Sequence, residues 1–171
     1  MTFRYCPYFC EENIWHLASE ASVGVPLDER RVVFISNAAR QVAMHHQRAG
    51  RGRPMVWDYH VVLLAGGLIW DLETTLDLPL SLDLWVMKSF PVGIAARAPR
   101  FRVIDAPAYL STFASDRSHM LGPTGLPLKP FPSWPRIGEG MNLMRFVDLE
   151  TPFLGEVLDL DALRRAAGGS A

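Results

Sequence analysis

The sequence predicts an α+β domain. Strand-like and helix-like segments are mixed along it without the βαβ alternation of a doubly wound sheet. The strongest local signal is an antiparallel hairpin, "MVWDYHVVLLAGGLIWDLETT" (55–75), turning at Ala-Gly-Gly. The chain has 171 residues, 49% of them hydrophobic, which suits one sizeable core. Residues 1–171 therefore read as a single domain, with about 167–171 as a frayed tail.

Each element has a local reason. "EENIWHLASE" (11–20) puts Ile14, Trp15, Leu17 and Ala18 on one face, the pattern of an amphipathic helix. Glu11 and Glu12 fall in its first turn, where negative charge suits the positive end of the helix dipole. "RRVVFISN" (30–37) is a β-branched and aromatic run closed by Ser-Asn, a strand. The hairpin 55–75 follows as two strands, and "FRVIDA" (101–106) is another short strand. "AYLSTFASDRSHM" (108–120) has helical character. "GPTGLPLKPFPSWPRIGEG" (122–140), with five prolines and four glycines, reads as a loop ordered by packing. "DLDALRRAAGG" (159–169) is a last helix, with Arg164 and Arg165 near its C-terminal end.

Bulk properties exclude several classes of function. A net charge of −1 leaves no footprint for nucleic acid or an anionic membrane. The longest apolar stretch, 60–70, contains a histidine and a Gly-Gly break and is too short to span a bilayer. "MTFRYCPYFCEEN" lacks the apolar core of a signal peptide, so Cys6 and Cys10 are expected as reduced thiols in a cytoplasmic monomer. Cys6, Cys10, His16, His45, His46 and His119 match no common zinc spacing, and no metal or other cofactor is expected.

The hairpin carries the first chemical pattern. A two-residue turn at Gly66-Gly67 pairs Ala65 with Leu68 and sets Asp71 opposite Val62. Asp71 is then diagonal to His60, at about 7–8 Å between Cα atoms. A four-residue loop would pair His60 with Asp71 directly, whereas a three-residue loop would put them on opposite faces. A carboxylate near the ring would fix the imidazole tautomer, and Cys10 at a helix N-terminus would supply a nucleophile favoured as thiolate. Backbone N–H groups at that helix start could hold an oxyanion. Glu11 and Glu12 oppose a thiolate unless they have another task. Each residue also has a structural reading: Cys10 as a packed core residue, His60 as a satisfied core histidine, Asp71 as a buried acid needing a partner. Ser115-Asp116 would cap a turn, and Arg117 would pair with a surface acid.

"CEENIW" (10–15), "VFISN" (33–37), "VWDYHVVLL" (56–64), "WDLE" (70–73), "FASDRSHM" (113–120) and "MNL" (141–143) together resemble the protein N-terminal glutamine amidohydrolases, from about residue 5 to 166. The resemblance implies a papain/transglutaminase-like core, a single-domain α-β-α sandwich with a mainly antiparallel sheet. It also implies a triad of Cys10, His60 and Asp71. The family's "YDLD"-like motif becomes "WDLE", so Glu73 stands where the family has aspartate. The implied reaction converts an N-terminal glutamine to glutamate with release of ammonia, feeding a protein-degradation pathway. The implied partners are peptides and proteins with a free N-terminal glutamine. Selecting a free α-ammonium requires acceptors, for which Glu12, Asp58 and Asp116 are the expected residues, with Tyr59 among the aromatic pocket walls. A thiol protease, a transglutaminase-type acyltransferase and a non-catalytic module binding peptide N-termini are the competing functions.

Overall fold

The computed structural model describes residues 3–90 and 98–168. At its centre lies β1 (Arg30–Ser36), hydrogen-bonded on one side to β4 (His60–Ala65) and on the other to β7 (Arg100–Asp105). The sheet extends outward through β5 (Leu68–Trp70) and β6 (Leu80–Ser81) at one edge and β8 (Glu156–Leu158) at the other. Its order is β6-β5-β4-β1-β7-β8, and all five pairings are antiparallel.

Both faces of this sheet are covered, which explains why β1 and β4 are continuous apolar runs instead of alternating ones. Val32, Phe34, Val61 and Leu63 face α1 (Cys10–Ser19), α3 (Ala106–Thr112) and α4 (Leu143–Val147), meeting Ile14, Leu17, Tyr109, Leu143 and Phe146. Val33, Ile35, Val62 and Leu64 face α2 (Leu82–Ser89) and α5 (Leu160–Gly168), meeting Trp85, Val86 and Leu163. The fold is one α+β domain with helices on both sides of an antiparallel sheet. The expected frayed tail falls partly on 169–171, outside the described residues.

The hairpin turns at two residues. Gly66 and Gly67 both have positive φ, 58° and 75°, which suits the twist of the flanking strands. Ala65 pairs with Leu68 and Leu63 with Trp70. The first arm, however, is not one strand from 55 to 65. β3 (Met55–Trp57) leaves the main sheet and pairs with β2 (Val42–Met44) in a separate two-stranded sheet. The break is at Asp58, whose side chain accepts the Tyr59 N–H at 3.0 Å while its carbonyl accepts from Ser36 Oγ at 2.7 Å. Side-chain bonds of this kind compete with the ladder.

The helix expected over 108–120 is shorter and earlier. It begins at Ala106, with Pro107 in its first turn, and stops at Thr112. Phe113 is extended, and the Asn142 side chain donates to the Thr112 carbonyl at 2.7 Å and accepts the Ala114 N–H at 2.9 Å. "SDRSHM" is therefore loop, apart from one tight turn at Ser118–Met120. Residues 122–140 hold no regular strand or helix, as their proline content predicts.

Arg102, buried inside β7, ties the C-terminal third to the sheet. Its guanidinium donates to the carbonyls of Phe146, Asp148, Thr151 and Leu154, at 3.1 Å for Phe146 and Leu154. Arg102→Met would leave those acceptors unmet and is expected to lower the unfolding free energy by about 2–4 kcal/mol. Urea denaturation checks this, and an unchanged midpoint would show the guanidinium to be dispensable.

Candidate active site

Past Trp70 the chain leaves β5 and turns, with the Thr74 N–H donating to the Asp71 carbonyl at 3.0 Å. This turn puts the Asp71 carboxylate, fully buried, at the convergence of four donors. His60 Nε2 at 2.8 Å and the Glu73 N–H at 3.1 Å reach Oδ1. Gln47 Nε2 at 3.0 Å and Trp85 Nε1 at 3.2 Å reach Oδ2. Burial alone would push the carboxyl up, but the charge and hydrogen bond of His60, then Gln47 and Trp85, hold it below its ordinary value. A buried carboxylate so placed requires a full set of donors, and it has one.

With Nε2 on the carboxylate, that nitrogen carries a proton. Nδ1 is buried and has no hydrogen-bond partner. The Trp57 ring stacks on the imidazole, with centroids 5.5 Å apart and planes 16° apart, and its Nε1 donates to Gln47 Oε1 at 3.2 Å. Gln47 thus fixes both the acid beneath the histidine and the indole above it.

Cys10 is the first residue of α1, and the helix packs along β4. The Val61 backbone, one residue beyond His60, acts on its sulfur to favour the thiolate, a smaller effect than burial and the acids. No side chain caps this helix, because Phe9 occupies the N-cap position. Both cysteines are free thiols. The expectation of a thiolate favoured by the helix N-terminus is not met in this state. Burial, then the charges of Glu11 and Glu73, push the Cys10 thiol well above its ordinary value. The thiol points at Glu11 Oε2, 3.6 Å away.

Cys10, Trp57, Asp58, Tyr59 and Glu73 all line one cavity of about 360 Å³. A larger open groove of about 770 Å³, lined by Phe3, Arg48 and Trp70 among others, contains no cysteine or histidine. Of the acids expected to meet a substrate ammonium, only Asp58 borders the Cys10 cavity. Glu12 is buried and bound to Arg117 Nε at 2.9 Å and Nη2 at 2.8 Å, to Ser115 Oγ at 3.1 Å and to Trp134 Nε1 at 2.7 Å. Arg117, in the left-handed region at φ 66°, also donates to the carbonyls of Pro132, Trp134 and Pro135. The pair clamps the proline-rich loop onto α1, so Arg117 serves a buried acid and not a surface one. Asp116 accepts the Ser118 N–H at 2.8 Å, which is the turn cap its sequence suggests. Tyr59 borders the cavity and donates to Glu11 Oε2 at 3.0 Å.

Gln47 and Trp85 are site residues that sequence reasoning missed. Neither carries a local signal, since both act through folding that brings distant segments to Asp71. Among the described residues, no group of three His, Cys, Asp or Glu side chains converges as a metal site.

Residues 5–167 match the family described as N-terminal glutamine amidase. The chain is also 40% identical, over 151 residues, to the protein N-terminal glutamine amidohydrolase of Drosophila melanogaster, covering 81% of this chain and 74% of the relative. This chain belongs to the N-terminal glutamine amidase family. Relatives of the same name from Drosophila ananassae and Drosophila mojavensis are 39% and 38% identical over the same length and shares. The cysteine, histidine and buried acid described above thus sit within the span that defines the family.

Two stability outcomes follow from these pairings. Arg117→Met would strand a buried carboxylate and is expected to cost about 3–5 kcal/mol in urea denaturation, with part of it recovered in Glu12→Met/Arg117→Met. Because the folded-state pKa of Asp71 is depressed, its contribution is complete above the unfolded aspartate value of about 3.9 and is lost as pH falls below it. The unfolding free energy of Asp71→Asn should therefore fall less steeply with acid than that of the natural protein. Parallel slopes would contradict this.

Proposed function

We propose that this protein is an amidohydrolase converting N-terminal glutamine to N-terminal glutamate, with Cys10 as nucleophile, His60 as acid and base, and Asp71 as the group orienting His60. The observation that carries the proposal is the buried Asp71–His60 pair, its Nδ1 free, stacked beneath Trp57, which lines the same cavity as Cys10. The relatives' names supply the substrate. An antiparallel sheet with a cysteine opening a helix that packs beside the histidine strand accords with a papain/transglutaminase-like core. The chain acts as one catalytic domain, a cytoplasmic monomer; no helix among the described residues is long and apolar enough to cross a membrane.

The mechanism follows from the protonation states. The Cys10 thiol passes its proton to His60 Nδ1 as sulfur adds to the carboxamide carbon. The oxyanion meets N–H groups at the uncapped start of α1. The imidazolium, held by Asp71, returns the proton to the amide nitrogen; the C–N bond breaks, ammonia leaves and a thioester remains. Water then gives a proton to His60 and adds to the thioester carbon. Collapse releases the glutamate product, and the sulfur recovers its proton. Burial and the neighbouring acids push the Cys10 thiol up, so this transfer accompanies the attack of sulfur on the carboxamide. Asp58 and Tyr59 form part of the cavity wall, whereas Glu12 and Asp116 contribute by holding their loop in place.

Two measurements test the proposal. Ammonia release from a short peptide beginning with glutamine should be abolished in Cys10→Ala, and retained activity would refute the nucleophile. Asp71→Asn should lower kcat by about 10²–10⁴-fold, through loss of the tautomer and of imidazolium stabilisation. Cleavage of the peptide bond, or amine cross-linking, would favour a thiol protease or an acyltransferase instead.

A further inference from the structure

Besides Cys10, the cavity is bordered by two carboxylates, Asp58 and Glu73. Asp58 is exposed at the rim, where its side chain is engaged by the Tyr59 N–H. Glu73 is 2% exposed. Its Oε1 accepts the Tyr5 hydroxyl at 2.6 Å, and among the described residues no cation lies within 4.0 Å of it. Lys129, also on the lining, is spent over the Tyr8 ring, 4.6 Å from its centroid. Arg48 and His60 act on Glu73 only from beyond contact distance, so a buried carboxylate bordering a ligand cavity is left with room for a ligand to supply a cation in direct contact.

We infer that Glu73 receives the α-ammonium of the substrate's N-terminal glutamine while Cys10, on the same cavity, receives its side-chain amide. This rests on the function proposed above and names the group that selects a free N-terminus. Its burial, more than its charge, sets it apart from Asp58, because an ammonium gains more from a partner shielded from water.

The assignment ties recognition to chemistry. The Glu73 charge is one of the causes that keep Cys10 protonated. An ammonium bound there cancels that charge and eases transfer of the thiol proton to His60. A substrate without the amine therefore loses turnover as well as binding, and an internal glutamine is rejected twice.

The test compares a peptide beginning with glutamine to its des-amino twin, which keeps the carboxamide and lacks only the amine. In the natural protein kcat/KM should favour the amine by about 10- to 100-fold. In Glu73→Gln that ratio should collapse toward one, through loss on the amine peptide alone. Glu73→Asp, which restores the family's acid, should keep most of the preference, and Asp58→Asn should keep it too. Iodoacetamide labelling of Cys10 at neutral pH, read by peptide mapping, should be faster in Glu73→Gln. Equal losses on both peptides, a preference that survives in Glu73→Gln, or a collapse in Asp58→Asn would overturn the assignment. If the natural protein releases no ammonia from the glutamine peptide, the proposed function itself fails.

Discussion

The site depends on one interaction above all, the saturation of the buried Asp71 carboxylate. Its four donors come from four parts of the chain: His60 on β4, the Glu73 backbone, Gln47 in a loop and Trp85 on α2. Removing any one would leave charge in a region without water to replace it. The carboxylate thus holds the sheet edge, the α2 layer and the 47-loop in one arrangement. It also fixes which imidazole nitrogen is occupied, Nε2, and leaves Nδ1 without a partner.

A second layer of charge sits on α1. Glu11 and Glu12, the two acids that follow Cys10, work against a thiolate, and their roles diverge. Glu12 is neutralised by Arg117 and anchors the 130–135 segment beside the cavity. Glu11 accepts from Tyr59 and lies 3.6 Å from the thiol. A thiol pushed up in this way is less prone to adventitious oxidation and alkylation, since the thiolate is the reactive form.

What could be read from the sequence was what short-range physics determines. α1 was legible from periodicity, β1 from its β-branched and aromatic run, and the Gly66-Gly67 turn from its composition. That turn also set the register that brings Asp71 near His60. The same logic failed where a distant side chain overrules the local pattern. Asn142 ends the helix at Thr112, and Asp58 splits what reads as one long strand. α2, α4, β2, β6 and β8 are short, and their stability comes from packing more than propensity, so nothing local announced them. Cys10, His60 and Asp71 were nameable as candidates, their order in the chain and the resemblance doing most of the work. Gln47, Trp85 and the Glu12–Arg117 clamp were not, because each is defined only by where another segment lands. For Cys10, the helix N-terminus and the two acids beside it are visible in sequence, whereas its burial and the charge of Glu73, which also push the thiol up, are not.

The central claim is that Cys10 carries the substrate as a thioester. Rapid acid quenching during turnover of a glutamine peptide, followed by peptide mapping, tests it most directly. The account requires an adduct on Cys10 equal to the peptide less ammonia, removed by hydroxylamine as the γ-hydroxamate. Ammonia released in the first turnover with Cys10 unmodified and no hydroxamate formed would contradict it.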